Sequence, residues 1–345
     1  MSASARARPS LAPSADRAGA PNRESLRARR VAREVTKLSI LDRSLVRQGH
    51  DPARALRDTV TFARQAEALG YHRFWVSEHH AVPGVAGSAP TVLASAVAAA
   101  TSRIRVGTGG VMLPNHRPLV VAEQFGVLDA LYPGRIDMGL GRSVGFTGGI
   151  RRALGHDKQD AENFAEQIEE LLDYFTRGRD GVHAMPAEGR KVPAFVLAIG
   201  SGADVAAELG LPLVIGGGRA EEGARRYRER VKGTPYVIVA ANIAVGEDAH
   251  LLQLPEAWAT AHSRTRGVFP PLRSPEEILS MELTERERTY LDEALRGQIH
   301  GTEEQVARRL HELVERTGAD EVLVTMNTYD LDRRLDSYRR LISLR

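Results

Sequence analysis

Three short runs in the first half of the chain end in residue types able to do chemistry. Phe74–Val76 leads through Ser77 into Glu78-His79-His80. Arg103–Thr108 leads into Gly109-Gly110 and on to Pro114. Gly134–Gly141 leads into Arg142. A carboxylate beside two imidazoles can bind a metal, move protons or contact a polar ligand. Neighbouring side chains leaving a strand point in different directions, so three consecutive ligands to one metal are awkward. No further Asp or Glu has a convincing spacing, and no metal site is assigned. The alternatives are imidazoles that cap backbone groups and side chains that touch a cofactor or substrate. Gly109-Gly110 permits unusual dihedrals and close approach of a flat ligand; a plain loop explains it equally. Arg142 suits a phosphate or carboxylate, or a surface ion pair. Gly200-Ser201-Gly202 precedes a short helical run, where exposed amides favour an anion. It half-resembles a dinucleotide turn, but Val205 sits where a small residue is needed. An ordinary loop is its alternative. His116-Arg117, beyond Pro114, is expected to be solvated, and the remaining scattered histidines lack ligand spacing.

These residues need elements that bring them together. Strands are expected at Lys37–Leu41, Tyr71–Val76, Ile104–Gly107, Arg135–Met138, Pro193–Leu197, Pro212–Ile215, Tyr236–Ala241 and Glu321–Met326. Helical spacing falls between them, in the stretch after Pro52 and at Ala89–Ala100, Leu119–Leu131, Ala161–Phe175, Asp204–Leu209, Glu221–Val231, Glu303–Arg316 and Leu331–Leu341. Eight alternating strands and helices predict an α/β fold, a closed (β/α)8 TIM barrel. The polar, proline-containing stretch 246–301 fits no single barrel element and is read as an insertion with helical pieces. On this scheme Glu78, His79, His80, Gly109, Gly110, Arg142, Gly200–Gly202, Asn242 and Asn327 all fall at C-terminal strand ends. Barrel enzymes keep their sites on that rim.

Composition narrows the function classes. The chain has 345 residues and no cysteine, which excludes disulfides, thiolate nucleophiles and Cys-ligated metals and fits a cytoplasmic location. The net charge of +3 is uneven. Residues 1–36 hold eight Arg against Asp16, Glu24 and Glu34, so the remainder is slightly acidic and does not suit nucleic acid. Residues 1–36 are expected to form a disordered extension; a transit peptide is the alternative. No apolar run is long enough to span a bilayer.

From about Lys37 to Arg345 the chain resembles the bacterial luciferase-like flavin-dependent monooxygenases, in particular their small single-chain oxidoreductases. Phe74–His80, Ser88-Ala89-Pro90, Ala98–Pro114, Ala122-Glu123-Gln124, Asp129–Arg142, Ala206–Pro212 and Gly318–Glu321 carry the resemblance. It implies a barrel, usually dimeric, that binds reduced FMN (FMNH2) or the deazaflavin F420 at its C-terminal rim. It implies a non-prolyl cis peptide at Gly109–Gly110. Arg142 would hold the flavin phosphate with help from Gly200, Ser201 and Gly202. Glu78 would approach the flavin or orient its loop, and His79 would be the catalytic imidazole. The implied reaction uses O2 through a flavin C4a-hydroperoxide to oxidise a small organic molecule, with FMNH2 from a separate flavin reductase. A place in secondary metabolism follows from the branch. An F420-dependent oxidoreductase and a non-catalytic partner subunit are the alternatives. The chain departs from the family at Leu197–Gly200, which lacks the usual serines, and at Ile215–Arg219. The three glycines of the latter suggest an enlarged or mobile pocket.

Overall fold

The computed structural model describes residues 37–198 and 202–345. The segment 1–36, expected to be disordered, lies outside the described residues. Eight parallel strands close into a barrel: β1 (Lys37–Asp42), β2 (Arg73–Val76), β3 (Arg105–Thr108), β5 (Ile136–Gly141), β6 (Ala194–Ala198), β7 (Leu213–Gly216), β8 (Val237–Ala241) and β11 (Glu321–Val324). Pairing of β1 with β11 and of β3 with β5 completes the ring. A two-residue strand, β4 (Val111–Met112), follows β3 and pairs with the upper end of β5.

Strand alternation sorts the interior into layers. Along β1, Ser39 and Leu41 face inward and Arg43 continues the period. Along β2, Arg73 and Trp75 do the same. At the floor, Arg73 pairs with Asp137 at 2.7 Å and Glu321 at 2.9 Å, and Arg105 pairs with Asp137 at 2.6 Å. Tyr236 donates to Glu321 at 2.7 Å, Trp75 Nε1 to Asp137 at 3.1 Å, and Ser39 also to Glu321. Above this lies an apolar layer of Trp75, Phe195, Val214, Ile238 and Leu323. The mouth follows.

Helices cover the outside. The helix Pro52–Leu69 starts where Asp51 accepts from the Ala53 amide and stops at left-handed Gly70 (φ 89°). It buries Ala55, Phe62, Ala63 and Ala66 against the barrel. The helix expected at Ala161–Phe175 begins later, at Phe164, after a separate 3-10 turn at Lys158–Ala161. A helix at Gly148–Leu154 escaped sequence reading because it buries none of its residues and so leaves no apolar period.

The stretch 246–301 holds helices Ala249–Arg266, Pro275–Leu279 and Glu285–Leu295. Two short parallel strands bracket it, β9 (Ile243–Val245) and β10 (Ile299–Gly301), which pair Ile243 with Ile299. Leu254, Trp258, Ala259, Leu272 and Ile278 form its own apolar cluster.

Candidate active site

The rim residues of β2, β3 and β5 are neighbours because their strands are neighbours. Glu78 lies just past β2, its side chain sealed from solvent. Oε1 accepts from His80 Nε2 at 2.6 Å and from His116 Nε2 at 2.8 Å; Oε2 accepts from the Met112 amide at 2.8 Å. Burial alone would raise this carboxyl's pKa. The two imidazoles and the amide outweigh it and hold the group down at about 2. Glu78 is thus a buried anion with both oxygens engaged. It ties the end of β2 to β4 and to the 3-10 turn Leu113–Asn115, from which His116 follows.

His116 corrects the sequence reading. It is not solvated but half-buried and bonded to Glu78. The acid–imidazole group also differs from the one considered above: Glu78, His80 and His116 converge, with ligand atoms within 4.8 Å of one another, while His79 stands apart. Three N–H donors to one carboxylate account for this arrangement.

His79 faces the other way. Its amide donates to Gly87 O at 2.8 Å, and Nδ1 lies 3.2 Å from the Ser77 hydroxyl. That leaves Nε2 as the ring nitrogen not engaged by Ser77. The ring stacks on Phe146, with centroids 6.0 Å apart and planes 16° apart. Phe146, on the loop after β5, is 63% exposed. Burial, with the positive charge of Arg43 next, lowers the His79 pKa to about 4. The imidazole is therefore neutral near pH 7, suited to hydrogen bonding rather than to acting as a cationic acid.

The Gly109–Gly110 peptide is cis. The Gly109 amide donates to Val76 O at 2.8 Å, which sets it beside the end of β2. A Cβ on Gly110 would lie 2.7 Å from the carbonyl oxygen of Gly139, and one on Gly109 would lie 2.6 Å from Leu41 Cδ1. The backbone of β5 thus demands glycine at 110, while a side chain at 109 would press on the end of Leu41, and the segment presents bare backbone at the mouth. Arg142 is half-buried directly after β5. Register pairs Gly141 with Leu197 of β6, so Arg142 leaves its strand alongside Ala198. Gly202 opens the helix Gly202–Leu209 and is buried against Ala198. Gly200 and Ser201 lie outside the described residues. After β7, a Cβ on Gly217 or Gly218 would meet nothing within 4 Å, so this corner of the rim is open.

The insertion helix Ala249–Arg266 supplies a further rim residue. Glu256 forms an ion pair with Arg43, and Asn327 Nδ2 lies 3.4 Å from its other oxygen. Asn327 Oδ1 in turn accepts from Arg334, which also pairs with Asp42 at 2.8 Å. Sequence reading placed Asn327 on the rim but missed Arg43 and Glu256. The period of β1 could have pointed to Arg43.

A bare, glycine-lined backbone segment beside a cationic side chain and a neutral imidazole fits a planar cofactor carrying a phosphate. Among the described residues no helix is long and apolar enough to cross a membrane.

Known proteins share this sequence pattern and fold. A sequence profile described as luciferase-like monooxygenase matches residues 36–321. A Bacillus subtilis protein, YvbT, is 39% identical over 324 residues, spanning 89% of this chain and 96% of its own. An Escherichia coli luciferase-like monooxygenase is 35% identical over 320 residues, spanning 87% and 94%. Among solved structures, apo-MsnO8 superposes with a TM-score of 0.78 at 30% identity, covering 90% of this chain and 97% of that one. The same fold, at 16% identity, occurs in the oxygenating constituent of a diketocamphane monooxygenase solved with FMN (TM-score 0.67, 89% of this chain and 96% of that one) and in an F420-dependent secondary alcohol dehydrogenase (TM-score 0.64, 90% and 99%).

Proposed function

The chain belongs to the luciferase-like monooxygenase family, and from that premise we propose that its barrel mouth binds reduced FMN and catalyses oxygenation of a small organic molecule by O2. In the balanced reaction one oxygen atom enters the substrate, the other leaves as water, and reduced flavin ends oxidised. When bound, the flavin supplies the electrons and the site of oxygen activation.

The chain's own residues have separable tasks. Arg142 holds the phosphate, assisted by backbone amides at the start of the helix Gly202–Leu209 and by Gly200 and Ser201. The Gly109–Gly110 segment would back the ring. Glu78, the second cofactor-side residue, fixes the loop that carries this segment, through Met112 and His116. His79, the catalytic imidazole of this reading, would offer a neutral nitrogen at the mouth, with Phe146 stacked against its ring. The observation that supports this reading is that His79, Gly109-Gly110 and Arg142 follow three adjacent strands, β2, β3 and β5, on one rim.

A separate flavin reductase delivers FMNH2, and the reaction belongs to the cytoplasm, in secondary metabolism. The chain pairs with a second copy. Exposed Val92, Val120, Val127 and Leu131 on the adjacent helices Pro90–Ala100 and Pro118–Leu131 support this pairing, and sedimentation equilibrium tests it. F420 is the second cofactor reading, favoured by the F420-dependent enzyme on the same fold. Anaerobic titration with FMNH2 and with reduced F420, followed by an oxygen pulse, separates the two. We expect tight FMNH2 binding and oxygen consumption. Tight F420 binding without oxygen uptake on FMNH2 selects the deazaflavin.

A further inference from the structure

We propose that Arg43 is the anchor for a carboxylate on the small molecule bound at the rim, and that Glu256 occupies that anchor until the ligand arrives. The inference rests on the monooxygenase reading only in calling that ligand the substrate.

The position of Arg43 comes first. It continues the inward series Ser39, Leu41 along β1, so its side chain tops the lumen rather than the outer face. Its side chain is 23% exposed and that of Glu256 is 12% exposed. Its place relative to His79 is fixed by backbone: Gly87 O accepts the His79 amide, and Gly87 packs close to Arg43 O. The Arg43 charge contributes to the depressed basicity of His79, as a guanidinium facing that imidazole must. A ligand held by Arg43 therefore has its other end beside His79 and Phe146.

The chemistry of the guanidinium comes second. Its terminal nitrogen Nη2 meets Glu256 Oε1, but Nε is buried and has no hydrogen-bond partner among the described residues. A buried donor on a charged group left unpaired is costly. The Nε–Nη2 edge matches the two oxygens of a carboxylate. Glu256 covers only half of that edge, and its other oxygen has only a long contact with Asn327. It comes from the insertion helix, not from the barrel. An incoming carboxylate can satisfy both Nε and Nη2, which Glu256 does not. Glu256 is then a competitor for the anchor, and a ligand without a carboxylate makes no use of it.

A structural ion pair and a self-occluded anchor predict opposite results for Glu256. The experiment is calorimetric titration of the full chain, with and without FMN, using hexanoate, phenylacetate and (methylthio)acetate, each against its primary amide. We expect at least one acid to bind about ten-fold or more tightly than its amide. Arg43→Gln should abolish that preference, and Arg43→Lys should restore part of it. Glu256→Gln should tighten the acid several-fold while leaving the amide unchanged. Circular dichroism confirms that each variant is folded. No acid preferred over its amide, or Glu256→Gln weakening the acid as Arg43→Gln does, overturns the proposal. FMN affinity, read in parallel, should be the same in wild type and all three variants. Acid preference without FMN binding would retain the anchor and remove the flavin reading.

Discussion

The two ends of the barrel are both polar, and they handle polarity in opposite ways. At the floor, Arg73 and Arg105 meet Asp137 and Glu321, so two cations face two anions. Tyr236, Trp75 and Ser39 fill the remaining acceptor positions. At the mouth, Arg43 Nε, Thr328 Oγ1 and both side-chain polar atoms of Asn115 are buried with no hydrogen-bond partner among the described residues. A buried polar group is tolerated when it is bonded. The floor meets that condition internally, and the mouth does not. The floor is a stability device. The mouth holds donors and acceptors in reserve beside two fully committed carboxylates, Glu78 and Asp42.

The largest expected effect breaks the floor. Arg73→Met leaves Glu321 and Asp137 short of a buried cation and should cost about 3–5 kcal/mol of stability, read by denaturant unfolding. Loss of less than about 1 kcal/mol would show that water reaches the floor. Next is the mouth. Arg142→Ala should weaken flavin binding by about 1.5–3 kcal/mol while the melting temperature barely moves. A large fall in stability with unchanged flavin affinity would place Arg142 with the floor residues instead. Glu78→Gln keeps the shape but removes the charge that two imidazoles serve. It should cost about 1–2 kcal/mol of stability and weaken flavin binding through the loop. Flavin binding untouched by this change would sink its positioning role.

The smallest effect is a titration. His79 should give an NMR inflection near pH 4 and none between pH 6 and 8. Its folded-state pKa lies below the unfolded value, about 6.5, so its neutral form is the one that folding favours. Its contribution is complete above the unfolded value and fades as pH falls from there through 4. An inflection near neutrality would mean that the imidazole is solvated and that the mouth is wetter than the floor comparison implies.

The barrel was legible because each strand is a short apolar run that stops abruptly, and the gaps between them have helix length. The rim positions of Glu78, Gly109 and Arg142 followed from the same stops. What was hidden depends on closure. His116 reaches Glu78 across 38 positions, and Glu256 reaches Arg43 across 213. Neither separation carries a periodic signal. The glycines show a subtler limit: their spacing suggested a ligand, but the contacts show that Gly110 must first clear the backbone of Gly139. Helix Gly148–Leu154 was invisible for the reason that it buries nothing.

The parallel pairing of β9 with β10 has an evolutionary consequence. The inserted helices lie between Val245, where β9 ends, and Ile299, where β10 begins in register with Ile243. The added segment departs and returns at this one parallel pair, and Leu272 and Phe269 bond it to the loops after β1 and β2. Glu256 belongs to this cassette and not to any of the eight staves. Selectivity for what enters can change by swapping that cassette, with the redox floorplan beneath it left intact.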